Sequence, residues 1–191
     1  MELLTGLLSA FGLSASAGLN AYIPLLVVGT TARFTDLIKL DTPWDTLTNP
    51  WILILLGVLV IVEMLADKIP VVNHINDVIQ TVVRPAAGAI VFAASAQVIN
   101  DIHPVLELGC GLMVAGSVHV VKSAAIRPAV TATTGGTANI PVSIAEDLLA
   151  ITTSILSIVI PIMVVIIIIL MTILVIRWIK KRRNKQKVSV K

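Results

Sequence analysis

A chain of 191 residues that is 57% hydrophobic and only 13% charged, with a mean hydropathy of +0.98, lies far from a soluble domain, about a quarter of which is charged. This composition excludes a soluble catalytic domain and leaves room for five or six membrane spans of roughly 20 residues. The net charge of +3 arises in the tail, where Lys180, Lys181, Arg182, Arg183, Lys185 and Lys187 follow the last apolar run; that cluster reads as a cytoplasmic anchor and a contact for anionic lipid, not as a nucleic-acid surface.

The start, Met1-Glu2-Leu3-Leu4, lacks the positive region of a cleaved signal peptide. Segment one runs from about Leu3 to Arg33, too long for a simple span. Its middle, Ser14 to Pro24, is small and polar and ends in proline. The serines and alanines read as close helix packing. Pro24 removes a donor and blocks the carbonyl at position 20, so a broken helix or re-entrant stretch is expected around Gly18–Pro24, with Asn20 turned toward a ligand or a neighbouring helix.

Phe34 to Pro50 is a net acidic loop with Asp36, Lys39, Asp41 and Asp45, and Trp44 and Trp51 read as interfacial residues. Segment two, Trp51–Ala66, is apolar until Glu63; Glu63 and Asp67, four apart, share one helical face. Val71–Asp77 is expected as a connection carrying Asn73, His74 and Asp77. Segment three, Val78–Ile99, has Arg84-Pro85 near its beginning and then the small run Ala86-Ala87-Gly88-Ala89. Segment four, Val105–Lys122, carries Glu107, His119 and Lys122 near its ends, and Cys110, with no disulfide partner in the chain, reads as a packing residue.

Ser123–Asp147 interrupts the apolar pattern with Pro128, Pro141, the pair Gly135-Gly136 and the acidic pair Glu146-Asp147. Prolines break helices, and glycines permit φ > 0 or a close backbone approach. A second broken or re-entrant stretch is therefore expected around Arg127–Pro141, with the other segments arranged around it. Segment five runs from near Pro141 to Ser157 and segment six from Ile158 to Ile179, divided at Pro161. The fold class is an all-α polytopic membrane protein of about six spans, with residues 1–179 a single membrane domain and 180–191 a basic tail. Six spans place both termini in the cytoplasm, with Lys68, Lys122 and Arg127 inside and the acidic connections outside.

An isolated charge at mid-bilayer costs roughly 2.5–3.5 kcal/mol on insertion scales. Lys68, Lys122 and Glu107 stand near segment ends and read as snorkelling. Glu63, Asp67, Arg84, Arg127, Glu146 and Asp147 call for mutual pairing, either as a structural ion-pair cluster or as a site that holds an ion or proton. With Asn20, Thr134 and Asn139 they form the candidate substrate- or ion-binding set. His119 has no second histidine at metal-ligand spacing, Gly135-Gly136 is not a phosphate loop, and no serine sits in a nucleophile elbow. No cofactor and no catalytic centre are expected.

The motifs Ser16-Ala-Gly-Leu-Asn-Ala-Tyr-Ile-Pro-Leu25, Val62-Glu-Met-Leu-Ala-Asp-Lys-Ile-Pro70, Arg84-Pro-Ala-Ala-Gly88, Thr133-Thr-Gly-Gly136 and Ser143-Ile-Ala-Glu-Asp147 together resemble a family of small bacterial integral membrane proteins known as a domain of unknown function. The resemblance covers segments one to five and implies a polytopic protein of the bacterial cytoplasmic membrane, C-terminus inside, with no activity attached. The functional expectation is a small transporter or channel-like protein, a homo-oligomer in the bilayer, moving a small ion or solute. The alternatives are a lipid-handling protein (a flippase or a phospho-headgroup enzyme working through the two arginines) and a non-transporting scaffold.

Overall fold

The computed structural model describes residues 2–68, 70–96, 103–161, 166, 169–174 and 176–177, apart from the side chains of 2, 3, 70–75 and 77. Among the described residues the chain is helical and has no strand: α1 (Glu2–Leu19), α2 (Tyr22–Phe34), a 3₁₀ turn (Trp44–Thr48), α3 (Pro50–Ala66), α4 (Pro70–Ala96), α5 (Pro104–Val120), a π-helical turn (Val121–Ile126), α6 (Arg127–Thr134) and α7 (Asn139–Val159). Among the described residues three stretches are long and apolar enough to cross a membrane: Val78–Ala96, Pro104–Thr134 and Asn139–Val159. Leu4–Leu19, Tyr22–Phe34 and Pro50–Ala66 are shorter apolar helices. This is an all-α, multi-pass membrane protein. Its outward faces, such as Ile54, Val58 and Ile61 on α3 and Val78 and Val82 on α4, expose large apolar side chains that only lipid or another apolar surface accommodates without cost.

The contact registers fix the helix directions. Ser14 on α1 donates to the Gly88 carbonyl on α4 (2.9 Å), and Ala10 packs with Phe92 and Ala96, so α1 and α4 are antiparallel. Ser9 donates to the Ser157 carbonyl and Ser16 to that of Ala150, so α1 and α7 are antiparallel too. Glu63 meets Arg84 and Asp67 meets Asn76, which makes α3 antiparallel to α4. Finally, Ala21 meets Glu63 and Gly29 lies against Leu53, so α2 runs against α3 and hence against α1.

The expected break in segment one is therefore a hairpin: α1 rises to Asn20-Ala21, and α2 returns beside it. Leu13, Leu25, Val28, Leu56 and Val91 accordingly share one core, roughly one to three helical turns from the polar tip. The elements α1 to α7 form three hairpins, α1–α2, α3–α4 and α5/α6–α7, with their tips at one end. The acidic 35–49 loop, the start of α1 and the end of α7 are at the other. In this arrangement the start of α1 shares an end with the acidic loop, which differs from the six-span expectation of opposite sides.

The organising element is α1, not the 123–147 stretch. Residues 12–18 are buried on every face, which a helix achieves only when enclosed by others. Its composition allows this. A Cβ on Gly18 would stand 2.5 Å from Val118 Cβ on α5, and the serines form interhelical hydrogen bonds, including Ser16 Oγ to Ser154 Oγ at 2.7 Å. The 123–147 stretch is largely exposed between Thr131 and Pro141. Gly135 and Gly136 have φ of 61° and 90° and nothing stands within 4 Å of a Cβ at Gly135. They provide the left-handed helix stop, not a close approach.

Neither proline of that stretch ends a helix. Pro128 and Pro141 lie in the first turns of α6 and α7, where the missing N–H costs little. The π turn before Pro128 widens the coil and relieves the clash of the proline ring with a carbonyl one turn back. Val71–Asp77, expected as a connection, lies in the first two turns of α4; the side chains of Asn73, His74 and Asp77 lie outside the described residues. The end of α7 at Val159, before Pro161, coincides with the expected division between segments five and six. Parts of segment six and the whole basic tail lie outside the described residues.

Candidate functional site

The two-residue corner between α1 and α2 leaves the last carbonyls of α1 and the first N–H groups of α2 without helical partners. Side chains from two other elements and from the corner itself satisfy them. Lys122 Nζ donates to the Leu19 carbonyl (2.8 Å), a cation at the negative end of α1. The Ala21 N–H donates to Glu63 Oε2 (3.0 Å), a carboxylate at the positive end of α2. Asn20 Oδ1 accepts from the N–H groups of Tyr22 and Ile23, both at 3.2 Å, and so caps α2, while Asn20 Nδ2 donates to Asp147 Oδ1 (3.2 Å).

Among the described residues four carboxylates and four cations converge around this corner. Arg84, fully buried, binds Glu63 Oε1 (2.9 Å) and Asp67 Oδ2 (3.4 Å). Lys122 lies 3.3 Å from Asp67 Oδ2 and 3.0 Å from Glu146 Oε2. Arg127 lies 2.8 Å from Asp67 Oδ2 and 3.4 Å from Glu146 Oε2. Lys68 pairs with Asp147 Oδ2 at 3.2 Å. The formal charges cancel, which is what a low-dielectric interior demands of buried ions. The geometry also fixes a tautomer. Arg84 can only donate, so His119 Nδ1, 3.1 Å from the guanidinium, is the acceptor and the ring proton sits on Nε2, 3.2 Å from Thr81 Oγ1.

Each element brings its residues for a local reason. Glu63 and Asp67 share a face of α3, as their spacing predicts. Asp67 is the cap residue of α3, and its Oδ1 accepts from Asn76 Nδ2 (2.8 Å). Lys122 and Arg127, five residues apart, would diverge on an α-helix; the i→i+5 bonding of the π turn brings them to one side. Glu146 and Asp147 point in different directions, as adjacent helical residues must. Asp147 binds Asn20 and Lys68, and Glu146 binds Lys122 and Arg127.

Of the nine residues singled out from sequence, the structure brings seven together: Asn20, Glu63, Asp67, Arg84, Arg127, Glu146 and Asp147. Thr134 and Asn139 stand apart at the exposed α6–α7 tip, where Thr134 Oγ1 accepts from the Ala138 N–H and Asn139 pairs with Thr131. Lys122 was expected to snorkel but is only 1% exposed, and Lys68 likewise turns inward to Asp147. Position near a segment end hid both; the surplus of acids over arginines in the candidate set was the signal for them.

Among the described residues four buried side-chain atoms lack a hydrogen-bond partner: Gln80 Oε1 on α4, one helical turn before Arg84, Ser95 Oγ farther along α4, and on α7 Glu146 Oε1 and, one helical turn earlier, Ser143 Oγ. Among the described residues no group of three His, Cys, Asp or Glu side chains is arranged to hold a metal ion. No curated protein and no solved structure matches the chain. Residues 7–181 match the model of the family described as Domain of unknown function (DUF4126), and with all but its two ends inside that match the chain belongs to this family.

Proposed function

We propose that the protein is a small transporter or channel-like protein in which the charged network at the α1–α2 corner is the site that handles a small ion or solute. The observation that carries this reading is the pair of open valences. A purely structural network is expected to close on itself, because a buried polar atom without a partner costs about 1–3 kcal/mol. Here Glu146 Oε1 and Ser143 Oγ stay open beside a balanced set of charges. Helix ends meeting at a buried polar site are also how transporters present dipoles and backbone groups to a substrate. A phospho-headgroup enzyme working through both arginines fits less well, since Arg84 is fully buried and held by Glu63, Asp67 and His119. In the membrane the hairpin tips with Lys68, Lys122 and Arg127 face the cytoplasm, and the 35–49 loop faces outward.

The test is flux in proteoliposomes loaded with ion-sensitive dyes. The wild-type chain should dissipate an imposed ion gradient. Glu146→Gln, which keeps shape and removes charge, should retain thermal stability within about 1 kcal/mol while losing flux at least tenfold. Asp147→Asn should lose stability first, because both Asp147 oxygens hold neighbours. Wild-type protein that is folded, correctly inserted and silent toward protons, alkali cations and small anions would establish the scaffold reading instead.

A further inference from the structure

The end of the bundle away from the charged corner holds an acid without a counter-charge. Glu107, in the first turn of α5, is only 7% exposed, so its place near a segment end does not let it snorkel. It begins the face Glu107, Gly111, Ala115 and His119, buried along its whole length against α4 and α1. Helices α4 and α5 run antiparallel in step: Arg84 meets His119, a Cβ on Gly88 would meet Ala115 Cβ, and one on Gly111 would meet Phe92 Cβ. One turn farther along α4, Ser95 and Ala96 therefore stand at the level of Glu107. Ala10 of α1 packs there with Phe92 and Ala96, and Leu7 and Cys110 lie against them. No charged residue occurs on α4 from Pro85 to Ala96 or on α1 from Leu4 to Leu19. On α5 the titratable neighbours are Cys110 and His103, whose Nδ1 accepts from the Val105 N–H. Among the described residues no cation lies within ion-pair distance of Glu107, and Ser95 Oγ is buried with no hydrogen-bond partner.

A buried carboxylate with no partner is costly as an anion, and neutralisation by a proton removes the cost. The donor set agrees. One carboxyl and one hydroxyl are too few oxygens for a dehydrated metal cation, which draws on roughly six to eight, whereas a proton needs a single lone pair. We propose that Glu107 and Ser95 form a proton-binding site at the end of the bundle that carries the 35–49 loop. The Glu107 carboxyl holds the proton, taken from water and returned to it, and the open Ser95 hydroxyl is the acceptor for the carboxyl O–H. The site is separate from the charged corner: Lys122 lies roughly 22 Å farther along the same run of helix, at about 1.5 Å per residue. It therefore stands independently of the transport reading.

Infrared spectroscopy of the full-length protein in nanodiscs at neutral pH reads the proton directly. A protonated carboxyl has a C=O stretch that ionised carboxylates lack and that moves to lower frequency in heavy water. The wild type should show such a band, and Glu107→Gln, which keeps the shape and cannot ionise, should lose it. Asp36→Asn, in the exposed loop, should keep it. Ser95→Ala removes the acceptor of the O–H and should move the band to higher frequency without abolishing it. A folded wild type with no such band overturns the proposal. So does a band that survives Glu107→Gln unchanged, which would belong to another carboxyl, or one that stays in place in Ser95→Ala. If Glu107→Gln does not fold, the wild-type band and its displacement in Ser95→Ala decide the matter.

Discussion

Arg84 illustrates how a guanidinium is held far from water. Its donors reach Glu63 and Asp67 on α3 and the Nδ1 lone pair of His119 on α5, so one residue ties three helices. Removing it leaves Glu63 buried and short of its partner, and losing one member of a buried pair costs roughly 3–5 kcal/mol. Arg84→Ala should therefore melt markedly lower in detergent. Arg33→Ala, which removes an exposed bond to the Thr48 carbonyl and a contact over the Phe34 ring, should stay within about 1 kcal/mol of wild type. The Arg84→Ala/Glu63→Ala double variant should lose less than the sum of the two single changes, because each single change already strands the other group. Additive losses would show that the two do not depend on each other. At this scale the acids and arginines were legible in the sequence, since the expense of charge in an oily chain demands partners. Lys68 and Lys122 were not. A long aliphatic stem near a segment end reaches water or a buried acid with equal ease, and only the tertiary arrangement decides.

Among the elements, the hairpins pack through positions that tolerate no side chain and pass through others that are indifferent. On Gly18 a Cβ would meet Val118 Cβ at 2.5 Å and the Ala115 carbonyl at 2.6 Å; on Gly111 it would meet Phe92 Cβ at 2.6 Å and the backbone of α4. Gly57, on the outward face of α3, has nothing within 4 Å. Ala at 18 or 111 must push α1 or α4 away from α5, and overpacking of this kind costs about 1–3 kcal/mol. Gly57→Ala meets no clash and gains up to about 1 kcal/mol of helix propensity. Thermal melts should rank the variants Gly57→Ala at or above wild type, with Gly18→Ala and Gly111→Ala clearly below. Equal behaviour of all three would mean that the close approach of α1 and α4 to α5 is not a feature of the folded protein. The helices themselves were readable as apolar runs with small-residue faces. The direction of α2 was not, because Pro24 and Asn20 signal a break but carry no angle. Nor was the π turn, because a sequence shows the proline at 128 and not how the preceding coil yields to it.

At the scale of the molecule, three hairpins with their tips together put every buried charge of the network at one level, and this yields a topology that differs from simple alternation of six spans. The sequence showed the sorting of charge, with Asp36, Asp41 and Asp45 in one loop and Lys68, Lys122 and Arg127 near other connections. It could not show that the small-residue helix α1 forms the centre, since seven consecutive residues buried on every face look locally like any helix made for packing. Because α1 and α2 are antiparallel, the start of α1 must lie on the same side as the 35–49 loop, and the α6–α7 tip with Gly135-Gly136 on the opposite side. Single cysteines placed at Thr5, Asp41 and Thr137, in a background with Cys110 replaced by Ala, test this with an impermeant thiol reagent on intact cells. Positions 5 and 41 should label together from outside, as the positive-inside bias directs, and position 137 only after lysis. A kinked single span would instead put 5 and 137 on one side and 41 on the other, so labelling of 41 without 5 would refute the hairpin. Labelling of 137 alone on intact cells would keep the hairpin and invert the protein in its membrane, placing the charged corner toward the outside.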